Sequence, residues 1–260
     1  MDICVIGFGF VGTAVYENLK KRGNTMYIYD KFQEEHSDPE VINKSSICFV
    51  CVPTPASDNG YDTSALEDVF SVLDRLDYNG IIVNKCTVLP GTTAKLIDNY
   101  SNLKITYNPE FLTAKTATDD FDKQKHIVIG YENSSYGRTV KEFFRSNFPD
   151  AEISSCSTLE AESIKIFCNT FYAVKVQTFT EFKLMCDSTG ANYNTIKDLM
   201  LRNGWINPMH TQVPGPDGKV SFGGMCFPKD LTALTHYMKN NNLDCDVLDA
   251  ALAERNKMRD

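Results

Sequence analysis

The chain of 260 residues lacks a basic excess: 26 lysines and arginines stand against 34 aspartates and glutamates, a net charge of −8. With no basic stripe to neutralise phosphates, a nucleic-acid surface is excluded. No apolar run approaches the ~20 residues of a membrane span, so no membrane partner is expected. The amino terminus opens directly on a strand-like segment, and no secretory leader is expected. Histidine is scarce, at four residues. None of the four has metal-ligand spacing, so no metal site is expected. Nine cysteines, an odd number scattered along the chain, point to reduced thiols and a cytoplasmic location. Cys48 and Cys51 fall in the apolar run Ile47–Val52, where positions three apart on a strand face opposite ways, and read as structural.

What is present begins with Asp2–Ile6, a short apolar run followed at once by Gly7-x-Gly9-x-x-Gly12. A helix-like stretch, Val11–Lys21, comes next and is closed by Gly23. This is the dinucleotide fingerprint in its strand–turn–helix setting. The first glycine makes the turn, the second admits the pyrophosphate and the third lets helix and strand pack closely. Gly7, Gly9, Phe10, Val11 and Gly12 are therefore the candidate cofactor loop, with the helix amides facing the phosphates. Asp30 ends the second strand, Met26–Tyr29, eighteen residues past Gly12. A carboxylate there accepts from ribose hydroxyls and repels a 2′-phosphate, so NAD is expected over NADP. An ordinary strand-end carboxylate is the plain alternative.

Strand and helix signals then alternate. Strands are expected at Ile47–Val52, Gly80–Asn84, Lys104–Tyr107, His126–Gly130 and Ala151–Ile153, and helices at Asp62–Leu76 and Ser134–Asn147, with another opening after Gly91. The fold class is α/β: a Rossmann-type parallel sheet of about seven strands over residues 1–155, followed by an all-α domain over 156–260. From Ser157 to Cys186 there is neither proline nor glycine, the pattern of one long helix. It is apolar nearly all round, which predicts burial on both sides. Lys165 and Asn169 sit four apart on one face with Ala161, Tyr172 and Val176, where an ammonium and an amide can bind a substrate oxyanion or hydroxyl. A surface Glu162–Lys165 ion pair is the alternative. Asn192–Leu201 reads as a shorter helix. The Gly- and Pro-rich stretch 203–220 is too long for a passive connection and reads as a lid or substrate-contacting loop. Leu231–Lys239 and Val247–Met258 read as the last helices.

The remaining stretch is Phe222-Gly-Gly-Met-Cys-Phe-Pro-Lys-Asp230. Its glycines permit a tight turn, and Cys226 has a cation and a carboxylate close behind it, Lys229 and Asp230. A thiol reacts as its thiolate, so such company suits a nucleophile. By itself, a Gly-rich loop with a structural cysteine is the ordinary reading.

The string closely resembles the active-site loop of the UDP-glucose/GDP-mannose dehydrogenase family. Further motifs similar to that family's follow in its order. They are the Val52-Pro53-Thr54-Pro55 exit, Lys85-Cys86-Thr87-Val88-Leu89-Pro90-Gly91-Thr92, Asn108-Pro109-Glu110-Phe111-Leu112 and Glu162-x-x-Lys165-x-x-x-Asn169. The resemblance implies an NAD-dependent oxidation of a nucleotide-sugar substrate, UDP-glucose first, at C6. It implies a Cys226 nucleophile passing through thiohemiacetal and thioester, with Lys165, Asn169 and Asp230 handling charge and protons. Glu110 and Thr87 would serve thioester hydrolysis. Thr54, Cys86 and Thr87 would face the cofactor, and Glu110, Phe111, Leu112, Lys165, Asn169 and Gly223 the substrate. The long helix would carry a homodimer. Two departures stand out: Cys86 replaces a serine, and Ala114 stands where many relatives carry a second acid. The likeness also stops where relatives continue into a third domain that holds the sugar's nucleotide. Two rival expectations are a catalytically impaired NAD-binding module and a two-electron β-hydroxyacid-type dehydrogenase.

Overall fold

A computed structural model describes residues 1–57 and 60–259. The strands are β1 (Asp2–Ile6), β2 (Thr25–Tyr29), β3 (Ile47–Val50), β4 (Ala56–Ser57), β5 (Gly60–Tyr61), β6 (Ile81–Asn84), β7 (Lys104–Tyr107), β8 (His126–Gly130) and β9 (Glu152–Cys156). The helices are α1 (Phe10–Lys21), α2 (Ser64–Arg75), α3 (Thr92–Asn99), α4 (Ala117–Asp122), α5 (Ser134–Asn147), α6 (Thr158–Thr189), α7 (Tyr193–Arg202), α8 (Phe227–Asn240) and α9 (Asp246–Arg259). The chain divides into two compact units, one of residues 1–55 and 61–165, the other of 56–60 and 166–260, with the main division inside α6.

The first unit is built on a seven-stranded sheet in the order β2-β1-β3-β6-β7-β8-β9. Its strands read as short apolar runs because both faces are covered. Ile3 and Val5 of β1 join Ile47 and Phe49 of β3 in one core layer, against Ala14, Val15 and Leu19 of α1 and Phe143 and Phe144 of α5. Cys4, Ile6, Cys48 and Val50 alternate into the other layer, with Leu66, Phe70 and Leu73 of α2. The two-residue strand period thus sends Cys48 and Cys51 to opposite layers. All nine cysteines are free thiols. The sheet is parallel except for one antiparallel pair, β7 with β8, which meet at Tyr107 and Gly130. The expected Rossmann-type parallel sheet is thus present, with this one antiparallel neighbour pair. The connection between them carries only the six-residue α4 in place of a full crossover helix.

In the second unit, Ala173, Phe222, Leu231 and Ala251 form one small core. Phe179, Cys186, Tyr193 and Val213 form another. Here α6 departs from the expected burial on both sides. Phe167 and Phe171 are 57% and 64% exposed and, with Val174, Leu234, Val247 and Leu248, line an apolar groove of about 300 Å³. Among the described residues no helix is long and apolar enough to cross a membrane.

The connection from α7 to α8 contains no regular element, yet it is pinned. The Arg259 guanidinium pairs with Asp217 at 2.6 Å and donates to the carbonyls of Val220 and Ser221. Ser221 N–H in turn donates to Thr180 Oγ1 on α6. The helix α8 starts at Phe227, four residues before the expected Leu231, because Pro228 falls in the first turn, where its missing N–H costs nothing.

Candidate active-site residues

In the first unit, β1 delivers Gly7 at a φ of +88°, directly against the Cys51 carbonyl, so a side chain there would strain the turn and collide with β3's exit. At Gly12 a Cβ would run into the Gly7 carbonyl, the close packing expected of the third fingerprint glycine. Gly9 caps α1 and faces open space. No side chain caps α1, and its first turn carries no acid, so the amides beside Gly9, Phe10 and Val11 are available to an anion.

The start of α3 makes a contrast. There Gly91 N–H and Thr93 N–H both donate to the Glu162 carboxylate, at 2.7 Å each. Burial pushes the Glu162 carboxyl up, against the pull of these amides. One helix terminus has its anion supplied by the chain, and the other fits a pyrophosphate. Asp30 closes the cofactor loop, its Oδ2 accepting from Phe8 N–H at 2.8 Å and its Oδ1 from Phe32 N–H at 2.9 Å. The carboxylate is thereby fixed at the loop's edge, where NAD's ribose belongs.

The exits of β3, β6 and β7 carry the other predicted residues of this unit. Thr54 is buried, and its hydroxyl donates to the Thr87 carbonyl at 2.6 Å, which ties the two exits together. The Cys86 thiol lies in the core and donates to the Val50 carbonyl at 3.5 Å. Burial pushes that thiol far up. The thiol points into the unit because a sulfhydryl, unlike a hydroxyl, is at home among apolar neighbours.

Glu110 is 8% exposed, and its Oε1 stands 2.8 Å from Lys165 Nζ, itself buried. Glu110 Oε2 accepts from Leu112 N–H at 2.7 Å, and the Phe111 ring lies 5.6 Å from the Lys165 ammonium. So the fold joins two motifs read separately in the sequence. The surface Glu162–Lys165 pair does not form: Glu162 caps α3, and Lys165 belongs to Glu110.

In the second unit, Cys226 caps α8, whose terminus favours negative charge. Gly224 adopts a φ of +77°, and a Cβ at Gly223 would crowd Asp217 and the Arg259 guanidinium. One turn on, Asp230 is 1% exposed. Its Oδ2 accepts from Asn169 Nδ2 and its Oδ1 pairs with Lys229 Nζ, each at 2.6 Å. Asn169 is thus held by a carboxylate four residues from the candidate nucleophile. His210 lies in the connection from α7 to α8. Its ring packs 4.8 Å from Tyr172 and 5.2 Å from Phe227, and burial lowers its pKa. Among the described residues no group of three or more His, Cys, Asp or Glu is placed to hold a metal ion.

Residues 31–147 match the NAD binding domain of the UDP-glucose/GDP-mannose dehydrogenase family, and residues 159–257 its central domain. The GDP-mannose 6-dehydrogenase of Pseudomonas syringae pv. tomato is 29% identical over 82% of this chain and 51% of its own length. The UDP-glucose 6-dehydrogenase of Rickettsia conorii is 30% identical over 85% and 50%. The chain spans about half the length of these curated relatives. The structure of a UDP-glucose dehydrogenase from the archaeon Pyrobaculum islandicum superposes with a TM-score of 0.85 at 22% identity. It covers 98% of this chain and 68% of that one, a likeness of fold.

Proposed function

Since the chain belongs to the UDP-glucose/GDP-mannose dehydrogenase family, we propose that it oxidises a nucleotide sugar, UDP-glucose, to the uronic acid with NAD. The observation that carries the reading is the buried Glu110–Lys165 pair at 2.8 Å. A carboxylate and an ammonium kept dry and in contact are equipped to move protons and to steady a developing oxyanion.

Bound NAD supplies the acceptor for one hydride in each of two oxidations. The chain's own residues do the rest. Oxidation of the C6 alcohol releases one proton, which Lys165 and water held at Asp230 pass on. The Cys226 sulfur adds to the aldehyde carbon, and the resulting thiohemiacetal oxygen is steadied by Lys165 and Asn169. The second oxidation releases another proton and leaves a thioester on Cys226. One water, activated by Glu110 and positioned by Thr87, cleaves the C–S bond, giving the acid and the free thiol. Ala114 leaves Glu110 without a second acid nearby in sequence.

The same reading includes a homodimer formed through α6, supported by the exposed Phe167 and Phe171 along its apolar groove. Wild-type protein is expected to sediment as a dimer at micromolar concentration and Phe171→Glu as a monomer. A wild type that is monomeric throughout removes the dimer.

A panel of UDP-glucose, GDP-mannose and UDP-N-acetyl sugars, assayed for NADH, tests the activity. Two NADH per UDP-glucose are expected. No NADH from any of them favours a binding module, and one NADH from a simple hydroxyacid favours the two-electron reading.

A further inference from the structure

Lys85 follows β6 directly, and a charged residue just past an apolar strand is expected to reach solvent. It does not: Lys85 is 3% exposed. Its Nζ donates to Asn108 Oδ1 at 2.6 Å, lies 3.4 Å from the Asn108 carbonyl, and stands 5.5 Å from the centre of the Phe121 ring. Asn108 is the first residue of the Asn-Pro-Glu motif and is held on two further sides. Its N–H donates to the Asn84 carbonyl at 2.9 Å, and its Nδ2 to the Val128 carbonyl at 2.7 Å. Two residues on, Glu110 meets Lys165 and the Leu112 amide. A buried ammonium is costly unless it is hydrogen-bonded, and an apolar residue would fill this place more cheaply.

We infer that Lys85 is a positioning residue for Glu110. Its ammonium clamps Asn108, and the three-residue segment Asn108–Glu110 carries that constraint to the carboxylate. The inference rests on the reading of Glu110 as the group that activates water for thioester hydrolysis. The clamp is also charge-sensitive. An ammonium donor makes a stronger hydrogen bond than a neutral amine. Burial lowers the Lys85 pKa to about 8. Lys165 adds to that lowering, while Glu110 opposes it. Burial pushes the Cys51 thiol up to about 12 and the Cys86 thiol higher still, so both stay neutral as Lys85 titrates. The clamp is therefore tight below pH 8 and loosens above it.

The test uses the whole 260-residue chain with UDP-glucose and NAD. In Lys85→Met, kcat for acid formation is expected to fall roughly tenfold or more, with NAD affinity held within about twofold. The wild type should lose rate above pH 8, and the variant should lack that limb. Asn108→Asp places an anion against the ammonium and should move the limb up by about one pH unit or more. It serves equally should Lys85→Met not fold. Wild-type kcat in Lys85→Met, or a limb unmoved in Asn108→Asp, overturns the inference. Failure of the functional reading looks different: the wild type itself makes no acid. In that event hydrogen exchange at the Leu112 amide, held by Glu110 Oε2, decides. Exchange about tenfold faster in Lys85→Met supports the clamp, and unchanged exchange refutes it.

Discussion

Replacing Cys226 by serine is expected to lower acid formation by about 10³-fold or more while NAD affinity stays within about twofold. A hydroxyl fills nearly the same volume at the start of α8, so the loop and its Asp230 contacts should persist. What is lost is the sulfur that forms and releases the acyl group. Serine offers an alkoxide only at prohibitive cost near neutral pH, and no base is assigned to generate one. NAD binding is expected to survive because the fingerprint loop and Asp30 lie in the other compact unit. Steady-state assay of uronic acid, paired with a fluorescence titration of NAD, checks both halves. Full acid production by the serine variant removes the nucleophile from the account.

The second large effect concerns Lys165. Lys165→Met leaves Glu110 buried with its ionic partner gone, which is expected to cost about 3–5 kcal/mol of stability. Turnover should fall by about 10²–10³-fold as the oxyanion loses its cation. Removing both charges is less harmful than removing one, since the stranded carboxylate carries most of the penalty. Lys165→Met/Glu110→Gln is therefore expected to recover more than half of the lost stability in urea unfolding without recovering activity. A double variant as unstable as the sum of its parts would show that the two side chains do not depend on each other.

Much of the first unit was legible because its signals are local. The strand–Gly7–helix sequence, the alternation of Ile3, Cys4, Val5 and Ile6, and the helix stop at Gly23 each need only neighbouring residues to be read. The long helix was legible for the same reason. Its partners were not. Lys165 pairs with Glu110, a residue whose nearness depends on how β7's exit lies beside α6. Glu162, three residues from Lys165, was a natural ionic partner by spacing. The two unsatisfied amides at the start of α3 compete for it and win. Phe167 and Phe171 of α6 are exposed on the single chain, since an apolar helix surface does not say which neighbour covers it.

Other differences have short-range causes. The six-residue α4 is too brief to show a period, and the antiparallel β8 carries the same apolar pattern as its parallel neighbours. Lys85 drew no attention beyond its motif, although a lysine directly after the buried Ile81–Asn84 run was itself a signal. The Cys86 position was read from the serine it replaces, and the burial of its thiol against the Val50 carbonyl depends on neighbours distant in sequence.

The central claim is that Cys226 carries the sugar as a thioester. Glu110→Gln should slow the release of that acyl group more than its formation, since the carboxylate is placed at the water step alone. Mixed with UDP-glucose and NAD, quenched in acid and digested, this variant is expected to yield the Cys226 peptide heavier by the uronyl acyl group. Two NADH per modified thiol should accompany it. An unmodified Cys226 peptide from protein that has released two NADH per sugar would contradict the account.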